Sequence, residues 1–260
     1  MDFTISKYRE LILALQKAGY SFLSLEEYLT MEQRPELFVI LRHDIDLRAK
    51  QALQTAAVEK AAGAHASYYF RVVPASNQPE VIRQIAEMGF EIGYHYEDMS
   101  IADGDAEKAK KYFCEWLQYF RKYYPVRTIC MHGAPSQRYD SRDLWKTADY
   151  KEFGIIGEPY FDVDFADIFY LTDTGRRWDG YKVSVRDKIP GHQDRWTASG
   201  WVYHTTDDII RAAQAGTLPP HILMTTHPQR WTQDPLLWIY ELLRQTVVNL
   251  IKLILISLSK

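Results

Sequence analysis

Phe38-Val-Ile-Leu-Arg-His-Asp-Ile-Asp46 (FVILRHDID) is the stretch on which the fold turns. Its first residues make a short, unbroken apolar run, which is how a strand buried on both faces of a parallel sheet reads. It then runs into ionisable side chains, and a helix-prone stretch, Leu47–Ala62, follows. The same succession recurs downstream, where GYHYED contains His95, CMHGAP contains His132 and TTHPQRW contains His227. Between these segments the pattern predicts strands at Ala66–Arg71, Phe90–Tyr94, Arg127–Met131 and Ile222–Thr226, with weaker ones at Phe153–Ile156 and Asp167–Leu171. Helices are predicted at Gln78–Met88, about Ala106–Tyr123 and near Asp207–Ala215. Strands alternating with helices mean βαβ units and a parallel sheet. About seven such units predict an α/β barrel. In a barrel the strand C-termini gather at one face, so the ionisable clusters should meet there.

Composition narrows the function. A net charge of −3 and a pI near 6.2 give no basic face, so no nucleic-acid partner is expected. Two cysteines, Cys114 and Cys130, make neither a disulfide framework nor a structural zinc site. With no secretory leader in Met1–Tyr20, which reads as an amphipathic helix, the expected location is the cytoplasm. No repeat or linker interrupts the chain, so residues 1–260 are expected to form one domain. Its end is apolar: Thr246–Leu258 (TVVNLIKLILISL) lies in a predicted helix over about 235–258. The apolar stretch Thr246–Leu258 is too short and interrupted for a transmembrane span. It is read either as packed on the domain or as a peripheral contact with a membrane or partner.

The chemistry lies in the four clusters. If the first strand stays extended, Asp44 and Asp46 point the same way, about 6.5–7 Å apart, and could divide the work of base and metal ligand. A helix cap would account for one of them. His95, with Glu97 on the same face, His132 and His227 each end a strand. Together these His and Asp side chains suit Zn²⁺ or a related divalent ion, with groups left over for proton transfer.

The order of these segments resembles the polysaccharide deacetylases, carbohydrate esterase family 4, over about Tyr8 to Trp231, and especially the divergent branch found among bacterial surface-polysaccharide genes. The resemblance implies a distorted (β/α)7 barrel and removal of an N-acetyl group from an amino sugar or glycan precursor. It implies Asp44 as catalytic base, His227 as catalytic acid, and Asp46 and His95 as ligands of a divalent metal (Zn, or Co, Ni or Mn). Two departures stand out. Ile45 separates aspartates that are adjacent in the family, and Met99 stands where a second motif histidine would be. His132 is the candidate replacement ligand, with His43 and Glu97 behind it.

The Arg- and Trp-rich stretch Asp173–Arg186 and the RW pair near the end place Arg177, Trp178, Arg186 and Trp231 as candidate substrate-binding residues. Trp would stack on sugar and Arg would pair with phosphate or carboxylate, so a phosphorylated, nucleotide-linked or acidic sugar is a fitting substrate. The expected partner is an N-acetylated sugar, or a nucleotide- or lipid-linked one. Two rivals share the pattern: a catalytically degenerate glycan- or partner-binding protein, and another metal-dependent amidohydrolase or phosphoesterase.

Overall fold

The computed structural model describes residues 1–133, 138–179, 189 and 191–258, with side chains to residue 252. Strand β2 (Phe38–Ile45) is its centre, with every residue buried. On one edge β2 pairs with β7 (His221–Thr226), and β7 pairs with β6 (Phe169–Thr172). On the other edge β1 (Ser21–Leu23) covers the first half of β2, and β3 (Ser67–Phe70) covers the second half. The sheet continues through β4 (Glu91–Tyr96) to β5 (Ile129–Met131). Every pairing is parallel. The order β5-β4-β3-β2-β7-β6 makes a curled half-barrel, and among the described residues β5 and β6 do not pair to close it.

The helices follow their apolar spacing. α1 (Ile5–Lys17) buries Tyr8, Leu11, Ile12 and Leu15 after a Thr4 cap. It packs on α3 (Ala52–Ala62) and α9 (Thr206–Gln214). α6 (Ala106–Phe120) buries Ala109, Phe113, Leu117 and Phe120 behind an Asp105 cap. α2 (Leu25–Thr30), α4 (Pro79–Glu87), α5 (Asp98–Ile101), α7 (Pro159–Asp162) and α8 (Gln193–Ala198) complete the connections before α10 (Pro235–Leu258).

Two strands differ from the sequence reading, besides the short helices α2, α5, α7 and α8 that it did not mark. The short β1 was not expected, since three residues carry too little periodicity to declare a strand. The strand expected at Phe153–Ile156 is instead a 3-10 turn over Tyr150–Phe153, capped by Asp149 and closed by Gly154 at φ 72°. Only a bridge between Thr128 and Gly157 remains beside β5.

Gly93, in mid-β4, is a packing requirement. A Cβ there would overlap the Tyr69 ring and approach the Thr128 carbonyl oxygen at 3.1 Å. Gly93→Ala is therefore expected to cost about 1–3 kcal/mol, read as a lowered denaturation midpoint. An unchanged midpoint would show that the Tyr69 ring can yield.

Candidate functional site

The register lines up the C-terminal ends of the strands, and the residue immediately after each of β2 to β7 is ionisable: Asp46, Arg71, Glu97, His132, Asp173 and His227. This ring occupies the face where α/β barrels build active sites. A cleft of about 450 Å³ opens over it, lined by Asp46, Arg71, His132 and Arg230 on one side and by Arg244 and Gln245 of α10 on the other.

Three of the expected residues converge. His132 Nδ1 lies 3.1 Å from Asp46 Oδ1 and 3.2 Å from His95 Nε2, and His95 Nε2 lies 3.6 Å from Asp46 Oδ1. His95 turns Nδ1 to the Cys130 carbonyl at 2.9 Å. Only a protonated Nδ1 can donate there, so the Nε2 lone pair faces Asp46 and His132. Asp46 Oδ1 is buried without a well-aligned hydrogen bond to a described residue. Burial raises the Asp46 carboxyl, but His132, His95 and His227 overcome it and hold the pKa well below the ordinary carboxylate value. An ionised, under-satisfied carboxylate oxygen beside two imidazoles is a donor set that suits a divalent cation.

The two other candidates for the replacement ligand point elsewhere. His43 lies on the opposite side of β2, with Nε2 2.8 Å from Glu59 and Nδ1 2.6 Å from Thr226 Oγ1. Glu59 also accepts the hydroxyls of Tyr8 and Tyr68, so this pair is a buried polar knot of the helix layer. Glu97 is held by Arg71 through two 2.8 Å hydrogen bonds, and it lies 4.0 Å from His132 Nε2. It stands behind His132. A second grouping, Asp44 with His95 and Cys130, is geometrically close but contains the Arg42 guanidinium, which would repel a cation.

Asp44 is clasped by Arg42, with Nε to Oδ1 at 2.8 Å and Nη2 to Oδ2 at 2.6 Å. Burial opposes its charge, but Arg42 and the neighbouring histidines bring its pKa down to about 2. Asp44 Oδ2 lies 3.8 Å from His95 Nε2, so it adjoins the triad.

Opposite, Asp173 gathers four donors. His227 Nδ1 and Arg230 Nη1 each reach Oδ1 at 2.6 Å, while the His227 backbone N–H and Trp231 Nε1 reach Oδ2 at 2.9 and 2.8 Å. Arg230 Nη1 also stands 2.7 Å from Nδ1, but Arg230 already donates to Asp173, and the closer, charged carboxylate puts the proton on Nδ1, which turns Nε2 toward Asp46 Oδ2, 3.8 Å away. Burial and Arg230 push the imidazole pKa down, yet Asp173 and Asp46 prevail and it ends above the ordinary histidine value.

The expected aromatic platform is not at the rim. Trp231 is fully buried against Phe3 and Tyr8, and Trp178 is buried with its Nε1 donating to Thr206. Their ring faces meet protein, which leaves no surface for a sugar. Phe3, Tyr8 of α1 and the packing of the two indoles on each other claim them, information that lies far away in sequence. Arg177 pairs with Asp179 in a side groove against Leu242 and Thr246 of α10, outside the main cleft. Arg186 falls outside the described residues. Asp173, Arg42 and Arg71 carry structural roles the sequence reading did not give them. Asp173 and Arg71 follow the rule that the residue after each strand is ionisable, which was the available signal.

Asp98, at the start of α5, lies behind the ring with Tyr94 Oη donating to both of its oxygens at 2.9 Å. Burial, reinforced by Glu97, raises its pKa to about 8. The folded state therefore binds this proton more tightly than the unfolded chain, and the group costs stability increasingly as pH rises from about 4 toward 8. Asp98→Asn keeps an acceptor for Tyr94. It is expected to stabilise the protein by on the order of a few kcal/mol near pH 8, with little gain near pH 4. Midpoints measured across that range check it, and a gain independent of pH would contradict it.

Fold and site together define an α/β half-barrel with a carboxylate–histidine cluster at its C-terminal mouth. No protein-family model matches the chain, and no curated protein matches it in sequence. Among solved structures it is similar to the Streptococcus pyogenes deacetylase PplD in complex with acetate, at 16% identity and a TM-score of 0.43, over 54% of this chain and 69% of that one. It is similar to BA3943 of Bacillus anthracis, a pseudoenzyme of carbohydrate esterase family 4, at 10% identity and a TM-score of 0.42, over 82% of this chain and 62% of that one. It is also similar to Bacillus subtilis PdaA, a family 4 carbohydrate esterase, at 13% identity and a TM-score of 0.40, over 90% of this chain and 82% of that one. At these identities and scores the likeness does not decide activity.

Proposed function

We propose that this protein is a metal-dependent hydrolase that removes the N-acetyl group from an amino sugar or glycan precursor, in a pathway of surface-polysaccharide synthesis. The observation that carries the reading is the cleft floor itself. Asp46, His95 and His132 meet there, between an arginine-clasped carboxylate and a carboxylate-backed imidazole. Those three residues would hold the ion, zinc by the donor set. When bound, such an ion lowers the pKa of a water and polarises a carbonyl.

The chain's own residues account for the proton movements. Asp44, ionised throughout the neutral range, takes the proton of the attacking water, and Arg42 fixes its orientation. His227 presents Nε2 to the same space and gives its proton to the departing amine. Asp173 accepts from Nδ1 and stabilises the doubly protonated ring, which leaves the Nε2 proton free to be given. Arg71 holds Glu97 in place behind His132. Acetate and a free amino sugar leave.

Binding without turnover draws on one contrary observation, that both Asp44 oxygens are engaged by Arg42 and so form a weak base. Acetate release from N-acetylglucosamine oligomers and nucleotide-linked N-acetyl sugars separates the readings. Metal-dependent release that Asp44→Asn abolishes supports hydrolysis. Sugar binding by the loaded wild type with no release would favour the binding protein, and release of phosphate instead would favour a phosphoesterase.

A further inference from the structure

Helix α10 is amphipathic in the wrong sense for a helix that merely packs on a domain. Toward the protein it turns Trp238 and Val248 but otherwise chiefly polar side chains. Glu241 is fully buried between Arg48 and Arg244, Gln245 is buried, and Asn249 donates to the Gly175 carbonyl at 2.9 Å. Toward solvent it turns Leu236, Ile239, Tyr240, Leu243, Val247 and Leu250, with Leu236 79% and Leu243 62% exposed. Burying the polar face and exposing the apolar one gains little unless something else covers the apolar side.

The shape of that face says what covers it. At about 100° per residue, the exposed apolar positions from Leu242 round to Ile251 fill an arc of roughly 180°. A single partner helix needs only a narrow seam, whereas a helix lying in a lipid surface buries a broad arc. Arginines stand at both edges. Arg48 lies 5.4 Å from the Tyr240 ring on one side, and Arg48 and Arg244 share the one carboxylate of Glu241. On the other side Arg176 and Arg177 line the groove beside Leu242. The chain as a whole carries a net −3, so this positive border is local to the helix. Among the described residues no helix is long and apolar enough to cross a membrane.

We infer that α10 docks this protein on an anionic lipid bilayer, its apolar arc in the headgroup boundary and its flanking arginines on the lipid phosphates. The inner face of the same helix, through Arg244, Gln245 and Val248, walls the catalytic cleft. Docking therefore sets the cleft mouth beside the bilayer, within reach of an amino sugar carried on a lipid phosphate. That consequence rests on the proposed hydrolase reading; the docking itself does not.

Flotation of the full chain with vesicles tests the docking without reference to activity. Wild type is expected to float with equimolar phosphatidylglycerol and phosphatidylethanolamine, and less with phosphatidylcholine alone. Leu243→Glu/Val247→Glu, both already solvent-facing, is expected to bind at least about tenfold more weakly, with unchanged circular dichroism and bound zinc. Arg48→Gln/Arg177→Gln is expected to lose the preference for anionic vesicles. Wild type left at the bottom of every gradient would overturn the inference. So would a stable dimer that ignores vesicles and is dissolved by Leu243→Glu/Val247→Glu, since a second copy would then be the cover. Flotation without acetate release in any assay would leave the docking standing and remove the hydrolase reading.

Discussion

After incubation with Zn²⁺ and gel filtration, the purified protein is expected to retain about one equivalent of metal, and Asp46→Ala, His95→Ala and His132→Ala are each expected to lose it. The three donor atoms already lie 3.1 to 3.6 Å from one another, so removing any one leaves two ligands and an open coordination sphere. Loss of a single ligand should weaken the ion by more than the 10–100-fold typical of an outer partner, roughly 100-fold or more. Glu97→Gln falls in that outer class, because Glu97 reaches only the far nitrogen of His132. His43→Gln should leave metal content untouched while lowering stability, since it disturbs a buried pair with Glu59 on the other side of β2. Elemental analysis with a denaturation midpoint for each variant reads both effects. Metal retained by His132→Ala but lost from His43→Gln or Glu97→Gln would move the third ligand. No metal in wild type would end the hydrolase reading and favour the binding protein.

Much of this geometry was legible because parallel α/β architecture converts sequence position into spatial position. A short apolar run ending in a charged residue is a strand that delivers that residue to the barrel mouth. Applied to Asp44, Asp46, His95, His132 and His227, the rule brings all five together: Asp46 and His132 line the cleft, and Asp44, His95 and His227 lie buried beside them. Applied as consistently to Arg71 and Asp173, it would have placed them too. What stayed illegible depended on contacts between distant segments. Nothing local to Trp231 says that Phe3 and Tyr8 will cover its ring. The Arg42–Asp44 clasp is different: alternation puts residues two apart on one face of a strand, so it was legible locally. The apolar character of α10 was visible, but which face it would turn outward was decided by Arg48 and Gly175, both far upstream.

Asp173→Asn is expected to lower turnover about 10³- to 10⁴-fold while leaving bound zinc near one equivalent, the loss typical when a carboxylate that fixes a catalytic imidazole becomes an amide. Asp173 touches none of the three proposed ligands. It acts through His227, whose Nδ1 it receives at 2.6 Å. An amide in its place offers one oxygen and one N–H to a site built entirely of donors, those of His227, Arg230 and Trp231. One donor is left facing another, the ring loses the carboxylate that orients it and stabilises its doubly protonated form, and Nε2 less often carries a proton aimed at the leaving amine. The pH profile separates this positioning role from simple loss of structure. His227 must be protonated to act as an acid, so activity falls as pH rises through its pKa. Because Asp173 helps hold that pKa above the ordinary histidine value, the alkaline limb of the variant should move to lower pH. Burial and Arg230, which both favour the neutral ring, are then opposed by the carboxylates of Asp46 and Asp44 without Asp173. A variant with normal zinc, a normal denaturation midpoint and an unshifted alkaline limb would mean that His227 is not the acid. The proton would then have to come from elsewhere in the cleft, with the guanidinium of Arg230 too basic to supply it.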